Sequence, residues 1–409
     1  MTDTSWKKSA VSDCLSPLNI PSKAKLQTKD YKASGKYPII DQGQEFISGW
    51  TDDSQAVITE GLPLIVFGDH TRALKYVDVP FVRGADGTQV LRPKPGINPL
   101  FFYYACRWLD IPGRGYNRHF SILKESEINI PDAETEQERI GETLRVADQL
   151  FVKQSAIVNQ LQNVKSSAMH TLFSRGLRGE PQRDTEIGPV PEGWEVVRMG
   201  SLGKIGNGST PKKSISAYWN DGVMPWLTSG VVHDREINDS AQMVSSKALK
   251  ECHLPLVQPG AILIAITGQG KTLGNCAILH NEATVNQHIA YVQINKNQML
   301  PGFLRGYLET QYQNLRQAGL GNGSTKGALT CGYLRDLPVP KAGLDEQAEI
   351  VAILDAIDQK IDLHKRKRAV LEELFKSLLH KLMTGEVRVR DLNLSALGID
   401  SDPTQEGIS

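Results

Sequence analysis

Apolar positions in this chain fall into two long ladders with steps of four and three. The first runs Ile140, Leu144, Ala147, Phe151, Gln154, Val158, Leu161, Lys165, Ala168, Leu172, and the second Ile350, Leu354, Ile357, Ile361, His364, Arg368, Leu371, Phe375, Leu378, Leu382. That spacing keeps a narrow seam on one side of a long helix, as in a coiled coil. The two segments are near copies 210 positions apart: Glu136 and Gln137 become Glu346 and Gln347, Asp148 becomes Asp358, Ser167 becomes Ser377 and His170 becomes His380. One helical module is therefore used twice. Each helix of about 40 residues would be about 60 Å long at 1.5 Å per residue. A lone amphipathic helix leaves its seam in water, so each copy is the expected partner of the other. Polar rungs at Gln154, Lys165, His364 and Arg368 interrupt the seams, which is how paired helices fix register at some cost in stability.

Outside the ladders the period shortens. Residues 1–133 carry apolar runs at 37–40, 64–67, 76–82 and 90–92 between Gly and Pro turns, the pattern of strands. One helix is expected over 98–109, with Phe101, Phe102, Ala105 and Trp108 on a face and Pro99 in its first turn. The first long helix is expected over 134–178, opened by a capping box of Thr135 and Glu138 and fading at Gly176. Residues 179–190 read as a linker.

Residues 191–341 form a second unit, with strands expected at 194–197, 261–267, 276–279 and 289–294 and helical spacing over 304–315. It also holds a polar, Gly-rich stretch at 206–218 and a Gly, Ser and Thr loop at 319–330. The second long helix follows over 342–384, then a polar tail over 385–409.

The two units read as distant copies. Each has an apolar strand meeting a polar turn (Phe67 to Arg72, Ile266 to Lys271), then a helix, a polar loop (115–121, 321–326) and a strand ending in proline (128–131, 337–340). The expected fold is α+β: two mixed α/β domains separated by two long antiparallel coiled-coil helices, with a pseudo-two-fold internal repeat.

Composition narrows the function classes. At 409 residues the chain exceeds one core. It has no apolar run long enough to span a bilayer, and its first ten residues lack the core of a signal peptide. Cys14, Cys106, Cys252, Cys276 and Cys331 include no C-x-x-C pair and read as reduced, buried thiols of a cytoplasmic protein. Basic and acidic side chains balance at 46 each, so any nucleic-acid surface is a local patch.

Catalytic motifs are sought and not found. Gly270-Lys271-Thr272 invites a phosphate-loop reading, but the glycine required five residues earlier is Ala265, inside an apolar strand. Asn98-Pro99-Leu100-Phe101 lacks the second proline of a methyltransferase loop. The histidines show no metal-ligand spacing. What remains is a pair of polar loop sets held by a rod. That arrangement suits two half-sites on one face of duplex DNA about 34 Å apart. Side chains able to read base edges or phosphates are His70, Arg72, Arg114, Asn117, Arg118 and His119 in the first set and Gln269, Lys271, Asn322, Ser324, Thr325 and Lys326 in the second.

At these residues the chain resembles the specificity subunit of type I restriction-modification systems. The carrying motifs are Pro191-Glu192-Gly193-Trp194, Gly208 to Pro211 with Tyr218-Trp219 and Pro225-Trp226, Gly323 to Gly327, Leu337 to Pro340, Glu346-Gln347 with Ile350 to Asp355, and Leu382 to Gly385. The resemblance implies two target recognition domains, each reading half of a split DNA sequence. It also implies helices that dock two modification (methyltransferase) subunits, joined by restriction (translocase and nuclease) subunits. No cofactor is then expected in this chain; S-adenosylmethionine, ATP and magnesium would belong to the partners, and the chain itself would not be an enzyme. The alternative is a coiled-coil scaffold that pairs proteins without reading DNA.

Overall fold

The computed structural model describes residues 5–20, 25–84, 86–113, 115, 118–268, 271–320 and 328–392. The chain divides into two compact units, Met1–Ala156 with Lys365–Ser409, and Ile157–His364. The long helices are Glu134–Arg175 and Leu344–Thr384, so each is shared between the units.

In the first unit the strand Leu64–Gly68 is the centre of the fold. It pairs antiparallel with Leu74–Val77 on one side and Thr88–Leu91 on the other. Successive side chains point to opposite faces: Ile65 and Phe67 enter one core, Leu64 and Val66 another. Burial on both faces explains an unbroken apolar run where alternation would mark a half-exposed strand. A second sheet orders Lys25–Leu26, Phe81–Gly84, Tyr37–Ile40 and Gly49–Thr51. The apolar stretch 76–82, expected as one strand, is two, because Asp78 to Pro80 interrupts the pairing. The helix Pro99–Trp108 is capped by Asn98, whose side chain accepts the amides of Leu100 and Phe101 at 3.0 and 3.1 Å.

The second unit repeats the plan. Its strand Ile262–Ala265 is again buried on both faces, with Ile262 and Ile264 in one core and Leu263 and Ala265 in another. The sheet orders Gly203–Asn207, Ile289–Ile294, Ile262–Ala265, Cys276–Leu279 and Glu236–Ile237. The expected helix over 304–315 is two, Pro301–Thr310 and Tyr312–Leu320, separated at Gln311. The segment expected as linker pairs as a hairpin, Gln182–Thr185 with Gly188–Pro191.

In each unit a strand near its start pairs antiparallel with the strand that feeds a long helix: Trp6–Ala10 with Glu127–Pro131, and Glu195–Arg198 with Pro338–Lys341. The joint that follows is duplicated in atomic detail. Gln137 accepts the Asn98 amide at 2.8 Å and donates to the carbonyls of Gly96 and Pro131 at 3.1 and 2.9 Å. Gln347 accepts the Leu300 amide at 2.8 Å and donates to the carbonyls of Gln298 and Ala342 at 3.3 and 2.8 Å. Both glutamines are buried, and each locks a long helix to the start of a short one.

Thr135 does not cap the first long helix. The helix begins one residue earlier, and the Ala133 carbonyl takes the amides of Glu136 and Gln137 at 3.1 and 3.2 Å. Of the cysteines, Cys14 and Cys106 are buried as expected, whereas Cys252, Cys276 and Cys331 are only half-buried.

Short and long helices cross closely in both units, and the room is made on opposite partners. In the first unit a Cβ on Gly141 of the long helix would lie 3.0 Å from the Phe101 amide and 3.1 Å from the Leu100 side chain. In the second, the glycine is on the short helix: a Cβ on Gly302 would lie 2.8 Å from Val351, the repeat equivalent of Gly141.

Of the seam, Ile140, Leu144, Val158, Leu172, Ile350, Leu354, Ile361, Phe375, Leu378 and Leu382 are buried; Phe151, Leu161, Ile357 and Leu371 are half-buried. In the first unit Ile140, Leu144 and Ala147 share a core with Phe375, Leu378 and Leu382. In the second, Leu172 shares one with Ile350 and Leu354.

The polar rung Lys165 is buried too. Its Nζ lies 3.0 Å from Asp358 and 2.5 Å from Glu309. Asp358, 2% exposed, also meets Arg235 at 3.1 Å and Arg305 at 3.7 Å. Just past the end of the first long helix the Leu177 amide meets Glu346, near the start of the second, at 3.3 Å, so the two run antiparallel in this unit. Asp148, the repeat equivalent of Asp358, is paired with Arg107 of the first unit at 2.5 Å.

Candidate nucleic-acid interface

The polar turn after Leu64–Gly68 is built as a rigid tip. Hydrogen bonds from the Gly68 amide to the Ala73 carbonyl (2.8 Å) and from the Arg72 amide to the Gly68 carbonyl (2.7 Å) close it, with Arg72 in the left-handed region at φ 62°. Arg72 turns inward: its guanidinium donates to the Ile111 carbonyl at 2.8 Å and holds the segment beyond the helix Pro99–Trp108.

Asp69 performs the second tie. Its buried carboxylate accepts the amides of His119 and Phe120 at 2.7 and 2.8 Å, and the His119 Nδ1–H donates to the Asp69 carbonyl at 2.8 Å. His119 is only 1% exposed, so it holds two segments together and presents no ring edge to solvent. Its neighbour Arg118 faces outward, with a side chain 82% exposed and Nε 3.9 Å from Asp69. His70 is half-buried, and its amide donates to Gln42 Oε1 at 3.3 Å. Arg114 and Asn117 lie outside the described residues.

The corresponding turn of the second unit is braced differently. Thr267 forms an isolated bridge with Ala328, while the Ala328 amide reaches the Gly319 carbonyl and the Leu329 amide reaches the Ile266 carbonyl, both at 2.7 Å. The chain thus departs at 320 and returns at 328 beside Thr267. Asn322, Ser324, Thr325 and Lys326 lie between those positions, outside the described residues, as does Gln269.

Lys271 is exposed on a fixed backbone: its carbonyl accepts from Tyr312 Oη and Asn275 Nδ2, each at 2.8 Å. His233 completes this brace, 3.0 Å from Thr272 Oγ1 and 3.2 Å from Asn275 Nδ2.

A polar chain missed in the sequence extends this tip. Thr267 Oγ1 lies 2.6 Å from His288 Nδ1, His288 Nε2 lies 3.1 Å from Gln287 Nε2, and Gln287 bonds Thr210. The Gly208 to Pro211 motif reaches this place because glycine permits it: a Cβ on Gly208 would overlap the Val285 carbonyl. The chain-order distance between Thr210 and Gln287 hid the cluster; the only local signal was the glycine. In the first unit the corresponding omission is Gln42.

Burial pushes the Asp355 carboxyl above the usual range, against the opposing pull of Arg305 and Arg235. Asp41, beneath the first tip, is held below its usual value. Burial alone would raise it, but hydrogen bonds from Ser48, the Gly43 amide and Tyr31, with the charge of Lys75, outweigh burial. Among the described residues no group of three or more His, Cys, Asp or Glu is placed to hold a metal ion. No described helix is long and apolar enough to cross a membrane.

Paired mixed α/β units, each with a polar tip and each tied to two long helices, define a two-domain recognition protein. Residues 6–163 and 191–373 match the family model of the type I restriction modification DNA specificity domain, and the chain belongs to that family. The family's role is DNA sequence specificity and not catalysis, which removes the scaffold alternative.

Among relatives, the EcoR124I/EcoR124II specificity subunit of Escherichia coli is 22% identical over 350 residues, covering 83% of each chain. The MjaIX specificity subunit of Methanocaldococcus jannaschii is 29% identical over 214 residues, 50% of this chain; the match spans about half of that protein, 48%. The fold is that of the M. genitalium type I S subunit, with a TM-score of 0.63 at 18% identity over 94% of this chain and 97% of that one. A chain from a study of complex assembly and conformational transition of the type I R-M system gives 0.53 at 17% identity, over 93% and 98%.

Proposed function

We propose that the chain reads a bipartite duplex DNA target, one half per unit, and carries that specificity to modification and restriction subunits. The duplicated joint of Gln137 and Gln347 carries the reading, because it attaches an equivalent unit, with its own polar tip, to an equivalent helix twice over. Units 1–133 and 191–341 are the two readers; the helices 134–178 and 342–384 are a paired coiled-coil rod that sets the gap and docks two methyltransferase subunits. Residues 179–190 link them, and 385–409 form a tail. S-adenosylmethionine, ATP and magnesium serve the partner subunits, and the assembly works in the cytoplasm.

Within the tips the roles divide by what each side chain touches. Arg118, exposed at the edge of Asp69, and the exposed Lys271 are placed to meet phosphates or base edges. Arg72 and His119 position the first tip, and His70 stands at its turn. Arg114, Asn117, Gln269, Asn322, Ser324, Thr325 and Lys326 complete the two reading sets. Mapping methylated adenines in DNA from cells expressing the system tests the proposal. Two short specified blocks separated by a fixed unspecified gap are expected, and one continuous block would overturn it.

A further inference from the structure

We infer that the loop joining Tyr37–Ile40 to Gly49–Thr51 is a further DNA-contacting loop of the first unit, with Phe46 touching a base of the half-site read there. The inference rests on the half-site reading above. Phe46 and the adjacent Ile47 are 46% and 38% exposed. Two consecutive large apolar side chains in water are unfavourable, and a loose loop could fold them away.

This loop is not loose. The Asp41 carboxylate grips both its ends, accepting the Gly43 amide at 2.7 Å, Ser48 Oγ at 2.5 Å and Tyr31 Oη at 3.1 Å. From beneath, Lys75 donates to the carbonyls of Asp41 and Glu45 at 2.8 and 2.5 Å. Lys75 is only 5% exposed, and burying an ammonium group is costly. The fold thus commits a buried cation to fixing a surface loop with an outward aromatic ring at its tip. Such rigidity lowers the ordering cost of meeting a partner.

Gln42 fuses this loop to the reading tip. Its Oε1 accepts the His70 amide, its carbonyl accepts the Thr71 hydroxyl, and its Nε2 donates to the Asp86 carbonyl at 2.9 Å. Asp69 of the same turn faces Arg118. The loop that carries the ring is therefore hydrogen-bonded to the same turn that faces an exposed cation, and an aromatic ring and a cation on one braced surface suit a base face or thymine methyl and a phosphate. Two side chains are far too little for a stable protein interface, which buries about 800 Å² per partner.

The test uses the complete system in cells and the assembled complex in solution. Phe46→Ala is expected to relax one or two positions in one half of the methylated motif and to weaken target binding about tenfold, the cost of losing one good base contact. Phe46→Trp is expected to keep the motif and to report target duplex by a change in fluorescence. An unchanged motif and affinity for Phe46→Ala would overturn the inference. So would an unchanged motif with impaired assembly, which would assign the loop to a protein contact. A continuous motif in the unaltered system would instead remove the half-site reading itself, before any variant is made.

Discussion

Lys165 and Asp358, one on each long helix of the second unit, are 3.0 Å apart and almost wholly buried. Lys165 sits where the first apolar seam is broken, and Arg235 and Arg305 reach the same Asp358 carboxylate from the globular part. A buried charge left without its partners is strongly destabilising, whereas loss of one partner among several costs less. Asp358→Ala removes the carboxylate that three cations share and leaves Glu309 to Lys165 and Arg305 and the more exposed Asp355 and Asp362 to Arg235; it is expected to cost about 3 kcal/mol, and Lys165→Met, which leaves two cations on the carboxylate, less. Urea unfolding followed by the tryptophans of that unit, Trp194, Trp219 and Trp226, measures both. Equal costs would show that the arginines do not share the carboxylate.

The twin glutamines make a paired prediction. Gln137→Ala and Gln347→Ala each remove three hydrogen bonds and leave a buried amide and two carbonyls to find new partners. Each is expected to cost about 2–3 kcal/mol, at about 1 kcal/mol per bond. Hydrogen exchange locates the damage: Gln137→Ala is expected to loosen the helix Pro99–Trp108, and Gln347→Ala the helix Pro301–Thr310.

Asp41 gives the first unit an acid sensitivity. Because its folded-state pKa lies below the ordinary carboxyl value of 3.8, its contribution is complete above that value and is lost as pH falls through the folded one. Asp41→Asn is expected to be less stable at neutral pH by about 1–2 kcal/mol, the worth of charge-assisted bonds. It is also expected to lose less stability than the unaltered protein on going below pH 3.8. An equally steep acid loss in the variant would assign that sensitivity elsewhere.

Arg118→Ala and Lys271→Ala separate the two tips. Each is expected to weaken target binding and, if the lost contact is to phosphate, to lower the salt dependence by about one ion. Where the contact is to a base, tolerance widens in one half of the target, a different half for each variant. Binding titrations at several salt concentrations on targets altered in either half distinguish these outcomes.

Much of the fold was legible because it is periodic or duplicated. The strands Tyr37–Ile40, Cys276–Leu279 and Ile289–Ile294 stand where apolar runs end at turn residues, and the two helices stand where the ladders do. What failed was local grammar overruled by tertiary pairing. Gly203–Asn207 is polar and glycine-rich, yet it is a strand because Ile289–Ile294 offers a full antiparallel edge. Thr135 has the residues of a cap, but the backbone of Ala133 takes that place.

The site was less legible for the same reason. His119 looks like a reader in a polar loop and is buried because Asp69, fifty residues away, takes its amide. Arg235, Gln42 and Gln287 carry no signal of their own, since Asp358, His70 and Thr210, which they meet, lie 123, 28 and 77 positions away in the chain.

The central claim is that each unit reads its own half of the target. Replacing residues 191–341 with the equivalent segment of a relative of different specificity, then mapping methylated adenines, tests it most directly. One half of the motif is expected to change to the donor's, with the other half intact. Simultaneous change of both halves, or a motif that follows neither parent in parts, would contradict the account.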